Sequence, residues 1–512
     1  MFASVYGMSV EGMQAHLIKV EVDISNGLPG FEIVGLPATA VKEAKDRVRS
    51  AIRNSGFRFP LQRITVNLAP ADLRKEGSGL DLPIAVGILT AMNEINEKFV
   101  KDYVFSGELS LEGYLRAVPG ILTMAVELNK INNVVDDDSK ILVVSLENSI
   151  EAQLVTELKS CCCLMLGELV KILNNEQGFQ ALPKESQESI SEHKLLVDMS
   201  EINGQYQAKR ALEIAAAGGH NLIMVGPPGS GKTLLAKAIS GLLPPLTDEE
   251  SLEVTQIYSI SGLLQGGKLI KERPFRSPHH TSTVAGITGG GLKVKPGELA
   301  LANHGVLFLD EIPEFSRNVL EALRQPLEDR KFTLRRLRGS VEYTTRICVV
   351  GSMNPCPCGF FGDKGRVCSC TPNRIHSYRS RVSGPLMDRF DLQVEVPRLS
   401  YKEMSGRESG ETSSTVRKRV IKAREKQWER FGKSKTNAEM TGRETREICV
   451  LDNESKMLIE KVFSSLQLSA RAYDRVLRVA RTIADIEENE NIKIEYLAEA
   501  LQYRALDREL RF

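Results

Sequence analysis

At 512 residues the chain is longer than one hydrophobic core organises, so two to four domains are expected. Hydrophobic residues make up 42% and charged residues 26%, and the formal net charge is +1. These are globular proportions; they exclude a globally basic nucleic-acid binder, so any basic surface must be local. No apolar run reaches membrane-spanning length and no secretory leader is visible. The nine cysteines therefore read as thiols or metal ligands of a cytoplasmic protein rather than as disulfides.

In chain order, residues 5–24 alternate, and "HLIKVEVDI" suits a strand. "NGLPGF" is a turn signal, and Thr39–Asn54 carries a helical stripe of Val41, Ala44, Val48, Ala51 and Ile52. "RITVNLAP" reads as a strand, residues 80–92 as a buried helix, and "ILVVSL" as a short buried strand. Residues 1–175 thus form one α/β domain. A polar linker follows at 176–194, a second α/β block at 195–397, another polar linker at 398–415, and a helical segment at 416–512.

"NLIMVGPPGSGKTLLAKAI" is an apolar strand, a glycine-rich loop and a helix. Gly226, Gly231, Lys232 and Thr233 fit G-x-x-x-x-G-K-[ST]. In such a loop, Gly226-Pro227-Pro228-Gly229-Ser230-Gly231 wraps backbone N–H groups around phosphates. Lys232 reaches the β- and γ-phosphates, and Thr233 ligates Mg²⁺. ATP and Mg²⁺ are the expected ligands. "GVLFLDEIPEF" ends a core strand on Asp310-Glu311. An acid there is costly unless it works: Asp310 would hold Mg²⁺ and Glu311 would polarise the attacking water.

"NPCPCGFFGDKGRVCSC" places Cys356, Cys358, Cys368 and Cys370 as two Cys-x-Cys pairs around a glycine-rich loop. Tetrahedral thiolate coordination suits structural Zn²⁺. An iron–sulfur cluster and four free thiols are the alternatives, with His376 a spare ligand. Cys161-Cys162-Cys163, in an apolar context, reads as core packing. His279-His280 lacks a carboxylate or cysteine partner nearby and reads as a loop or interface element. "DRKFTLRRLRGSVEYTTRI" reads as a hairpin with its turn near residues 338–340. It carries Arg330, Lys331, Arg335, Arg336 and Arg338, cations that would track a DNA phosphate backbone.

"GPPGSGKT", "FLDEI", "GSMNP" and "GPLMDRFDL", in that order, resemble an AAA+ ATPase. "INGQYQAKRALEIAAAGGHNLIMVGPPGSGKT" and "FRSPHHTSTVAGITGGG" narrow the resemblance to the YifB/ComM family of magnesium-chelatase-like AAA+ proteins, over nearly the whole chain. The resemblance implies an AAA+ P-loop core with a helix-2 insert and a C-terminal helical lid. It also implies a homo-oligomeric, hexameric ring acting as an ATP-driven helicase or branch-migration motor on single-stranded or branched DNA, during recombination of incoming DNA. In that pattern Asn354 is the sensor-1 residue and Arg389 the arginine finger that serves a neighbouring subunit. Arg471 is the sensor-2 arginine, with Arg475 and Arg478 as rivals and its action in cis or in trans open. The alternative is a chelatase-type ATPase remodelling a partner for metal insertion; the sequence carries no integrin-like Asp-x-Ser-x-Ser motif, which counts against a self-contained chelatase.

"LRKEGSGLDLPIA" and "SGELSLEGYLRAVPGI" resemble the Lon protease domain of the ribosomal S5 domain-2 type. The serine position falls on Gly79, with Ser78 one place early, and the lysine position near Leu122. Without the Ser–Lys dyad this domain is expected to be a scaffold or DNA-contacting unit, not a peptidase.

Overall fold

The computed structural model describes residues 1–75, 77–134, 139–179, 196–290, 295–336, 339–363, 365–401, 403, 410–466 and 470–504. Two sheets organise them. The first has seven strands in the spatial order Gly30–Val34, Arg63–Ala69, Gln14–Ser25, Phe2–Glu11, Tyr103–Phe105, Ile141–Ser145, Ser160–Cys163. The alternating stretch at residues 5–24 is two antiparallel strands, paired from Phe2 with Asp23 to Glu11 with Gln14. A single strand of that length would be unusually long, and Gly12 supplies the positive φ that lets the chain reverse. The helix Asp81–Ala91 is buried along its whole length against both strands, which is why it is apolar all round rather than striped. The helix Thr39–Asn54 buries the five stripe residues.

The second sheet has five parallel strands in the order Phe275–Arg276, Val306–Leu309, Cys348–Met353, Leu222–Val225, Leu392–Glu395. Both faces are covered, so the strands Leu222–Val225 and Val306–Leu309 are continuous apolar runs. Leu222 and Met224 face one core, Ile223 and Val225 the other. The C-terminal helices Ser413–Phe431 and Ala470–Ile486 pack on the helix Tyr206–Gly218, and Val416, Val420, Val476 and Ile483 share its core. The helical segment is therefore fused to one face of this sheet.

The two α/β units meet at a polar contact. Glu151, 6% exposed, accepts from the backbone N–H of Leu122 at 2.9 Å and from the hydroxyl of Ser259, on the helix Asp248–Ser261 of the second unit. Among the described residues no helix is long and apolar enough to cross a membrane.

Candidate nucleotide site and cysteine cage

The loop after Leu222–Val225 sits at the carboxyl end of a strand flanked by two parallel neighbours, where open α/β sheets bind ligands. Gly229 and Gly231 hold φ of +75° and +93°, which turns successive N–H groups inward. The Lys232 ammonium, 8% exposed, donates to the carbonyls of Gly226 (2.7 Å) and Pro227 (2.8 Å) and to Asn354 Oδ1 (3.3 Å). No carboxylate pairs with it among the described residues; burial lowers its pKa, against the fields of Asp310 and Glu311. Ser230 is 4% exposed and its hydroxyl has no hydrogen-bond partner. A buried, unpaired ammonium and an orphaned hydroxyl at a helix N-terminus fit a phosphate chain.

Thr233 donates to Asp310 Oδ2 at 3.2 Å, so the two Mg²⁺-ligand candidates already touch. Asp310 Oδ1 also accepts from the Ser352 hydroxyl and from the N–H of Glu311 at 3.1 Å. Glu311 has φ of +52°, in the left-handed region that disfavours side chains, and this places an exposed carboxylate just past the strand end. Asn354 follows Met353 at the adjacent strand end, and Met353 O accepts from Gly226 N. The structure thus brings Lys232, Thr233, Asp310 and Asn354 together.

Arg389 and Arg471 lie elsewhere. The Asn221 amide donates to the Arg389 carbonyl at 3.0 Å, and Asp391 N donates to Asn221 O at 2.9 Å. Asn221 precedes the strand Leu222–Val225 and the phosphate loop follows it. At ~3.3 Å per residue the strand separates Arg389 from its own phosphate loop by more than its side chain spans. Arg389 is 6% exposed and paired with Glu328, and its Nε has no partner. Arg471 reaches the same Glu328 at 3.3 Å, and Arg475 pairs with Asp391 at 3.3 Å. Arg478 donates to Thr445 Oγ1. Arg389 and Arg471 therefore share one carboxylate at the end of the sheet opposite the phosphate loop.

The four cysteines converge. Their sulfurs all lie within 4.8 Å of one another, with Cys356–Cys358 at 3.3 Å, Cys356–Cys368 at 3.7 Å and Cys358–Cys368 at 3.6 Å. These separations are too long for disulfides and close to the ~3.8 Å edge of a tetrahedron with ~2.3 Å metal–sulfur bonds. Backbone N–H groups of Phe360 and then Ser369 hold the Cys358 thiol down to about 6. A metal can be held here. His376 is not part of the cluster. The loop also touches the nucleotide site: Gly359 has φ of +85°, and a Cβ there would lie 2.5 Å from Pro228 Cδ of the phosphate loop. Arg379 ties the loop from the other side, donating to Pro355 O at 3.0 Å with its guanidinium over the Phe361 ring.

The remaining candidates separate by context. Cys162 and Cys163 are buried in the edge strand Ser160–Cys163, and burial pushes the Cys161 thiol up to about 11. The His279 and His280 rings lie 4.1 Å apart, tilted by 35°, with no metal partner among the described residues. The hairpin pairs Lys331–Arg336 with Gly339–Thr344. Lys331 is paired with Glu342 at 2.7 Å, and Arg330 sits at the hairpin root, 3.5 Å from Glu439 of the C-terminal segment. Arg335 and Arg336 lie on the first strand, and Arg338 is outside the described residues. In the first unit, Ser78 donates to Glu108, Leu122 is fully buried, and the buried Lys75 ammonium is bound by the carbonyls of Pro70 and Leu73. The described residues hold no Ser–Lys dyad.

Ser352 and Glu328 were not singled out from sequence. Ser352, two places before Asn354 in a buried strand, was the readable signal. Glu328, in a polar stretch, gave none.

Three family models match the chain: Magnesium chelatase, subunit ChlI, over residues 198–404; Subunit ChlI of Mg-chelatase over 20–137; and Magnesium chelatase, subunit ChlI C-terminal, over 410–504. An uncharacterised YifB protein of Salmonella typhimurium is 44% identical over 509 residues, covering 99% of this chain and 98% of the relative. The chain belongs to the YifB/ComM family of magnesium-chelatase-like proteins. The competence protein ComM of Haemophilus influenzae is likewise 44% identical to this YifB/ComM member, over 99% of this chain and 98% of its own. The magnesium-chelatase 38 kDa subunit of Cereibacter sphaeroides is 24% identical over 214 residues, 38% of this chain and 58% of its own.

Proposed function

We propose that this YifB/ComM-family protein is an ATP-hydrolysing AAA+ ring motor on DNA, acting as a helicase or branch-migration enzyme in recombination of incoming DNA. The observation that carries the reading is the division of the nucleotide machinery between opposite ends of one sheet. The carboxyl end holds Lys232, Thr233, Asp310, Glu311 and Asn354, while the amino end holds Arg389 and Arg471. Such a chain completes a catalytic site only by lending its arginines to a neighbour, as a hexameric ring does. Thr233 and Asp310 would hold Mg²⁺, which would supply charge to offset the phosphates. Lys232 neutralises and positions the phosphate chain, Glu311 orients and polarises water, and Asn354 fixes Lys232 and the water side of the site. Placing Arg471 beside Arg389 favours sensor-2 action in trans. The DNA assignment rests on the basic hairpin and on the competence protein among the relatives.

The cysteine cage holds one structural Zn²⁺ in this reading. Residues 1–175 form a Lon-like, ribosomal S5 domain 2-like unit without peptidase activity, 195–397 the ATPase core and 416–512 the helical lid. The likeness to the magnesium-chelatase 38 kDa subunit favours a second reading, an ATPase that remodels a partner for metal insertion. The ATPase rate measured with and without single-stranded, duplex and branched DNA decides between them. Stimulation by branched or single-stranded DNA is expected; no response to any DNA would leave the remodelling reading.

Two further outcomes follow from this arrangement. Mixing Arg389→Ala with Lys232→Ala subunits is expected to restore part of the activity that each lacks alone, because some mixed interfaces carry both intact groups. Co-assembly without recovery would remove Arg389 from the neighbour's site. Replacing Arg335, Arg336 and Arg338 by Ala is expected to weaken DNA binding similarly for all sequences. It should also flatten the log–log salt dependence by about one unit per lost phosphate contact; an unchanged slope argues against the hairpin.

A further inference from the structure

Where the C-terminal helices close against the amino end of the second sheet, they leave a cavity of about 60 Å³ lined by Arg273, Arg330, Arg346, Arg424 and Trp428, with Glu250 and Glu439. Arg424 is 7% exposed. Its guanidinium has one described partner, the carbonyl of Ala216, reached by Nε at 3.0 Å and Nη2 at 2.8 Å. No carboxylate pairs with it among the described residues. Both acids are already engaged. Glu250 is bound to Arg273 at 2.7 Å and to His304 Nδ1 at 3.4 Å, and accepts from Thr247 N. Glu439 accepts from Thr436 N at 2.7 Å and faces Arg330 at 3.5 Å. Glu253, beyond His304, is held by its Nε2 at 2.7 Å. Arg346, exposed at the mouth, has no ion pair among the described residues. The cavity thus faces two guanidiniums that make no ion pair among the described residues: Glu250 and Glu439 act on Arg424, and Glu253 on Arg346, only through space. Arg424 is buried, where charge without a direct partner is unfavourable. At about 10–15 Å³ per water-sized sphere, its volume admits roughly four to six heavy atoms. That is the size of one phosphate group, and planar guanidiniums match its oxygens.

We propose that this cavity is an oxyanion site that takes one phosphate group, clamped between Arg424 of the C-terminal segment and Arg346 at the start of the strand Cys348–Met353. It lies at the opposite end of the sheet from the nucleotide loop. Because Arg424 and Arg346 belong to different segments, an occupied cavity pins the helical segment to the ATPase core.

Trp428 is the only tryptophan in the chain and lines the cavity, so its fluorescence reports occupancy. The full-length Lys232→Ala protein, which removes the nucleotide loop's ammonium, is titrated with inorganic phosphate against chloride at constant ionic strength. A saturable change is expected with phosphate and not with chloride. Arg346→Ala, at an exposed position that does not endanger folding, is expected to weaken phosphate by about tenfold or more; Arg424→Gln, if it folds, should abolish the response. Competition by AMP would identify a phosphomonoester as the occupant. Competition by a single-stranded oligonucleotide without terminal phosphate would identify a phosphodiester backbone, and competition by neither would leave free phosphate. A response no larger than that to chloride, or equal phosphate affinity in Arg346→Ala, would overturn the site.

Discussion

Glu311→Gln is expected to slow ATP turnover by about 10²-fold or more while ATP still binds, because general-base assistance is typically worth that much. The carboxylate stands at a left-handed backbone position directly after Asp310, and its N–H is held by Asp310 Oδ1 and by Ser352 Oγ at 3.3 Å. The amide keeps the size and the backbone contacts, so the phosphate cradle of Lys232, Ser230 and the loop N–H groups is unchanged. Lys232→Ala should do the reverse and lose nucleotide affinity, since its buried ammonium is aimed at the loop carbonyls of Gly226 and Pro227. Binding of a fluorescent ATP analogue, measured beside phosphate release under single-turnover conditions, separates the two. Normal turnover in Glu311→Gln would remove the residue from the chemistry.

Cys358→Ser is expected to release the metal and lower the ATPase rate together. Serine is a poor ligand where thiolates set the affinity, and structural zinc contributes ~10 kcal/mol or more of folding energy in small zinc peptides. Two routes carry the effect to the nucleotide. Asn354 lies two residues before Cys356 and holds Lys232, and Gly359 packs directly on Pro228 of the phosphate loop. Gly359→Ala tests the second route with all four thiols in place. Its Cβ meets Pro228 Cδ at 2.5 Å in a backbone conformation that alanine resists, so the phosphate loop must shift. Metal content should stay at one zinc per chain while nucleotide affinity falls. Elemental analysis and nucleotide binding on both variants give the answer. Metal loss with an unchanged ATPase rate in Cys358→Ser would show that the cage stands apart from catalysis, and absence of metal from wild-type protein prepared without chelators would show it to be a thiol loop.

Much of this protein is fixed by local chemistry and so was legible in the chain itself. The nucleotide loop needs glycines that turn N–H groups inward, a lysine and a hydroxyl at set spacing, all within eight consecutive residues. The helix Thr39–Asn54 and the buried helix Asp81–Ala91 are encoded by apolar periodicity or its saturation. Two Cys-x-Cys pairs around glycines could be recognised as a candidate cage because the ligands sit within 15 residues of each other. Family likeness added roles to Asn354, Arg389 and Arg471 through motifs that stand in order along the chain. Which end of the sheet each arginine occupies was not legible. It depends on the parallel register of Leu392–Glu395 against Leu222–Val225, a pairing between segments 170 residues apart. The same holds for Glu328 joining Arg389 and Arg471, for Gly359 resting on Pro228, and for Arg424 and Arg346 lining one cavity. Each is a contact between surfaces brought together by core burial, a non-directional force that leaves no local pattern in the residues it joins. Sequence therefore determined the chemical parts, and only the tertiary structure decided that the arginines face away from their own nucleotide loop.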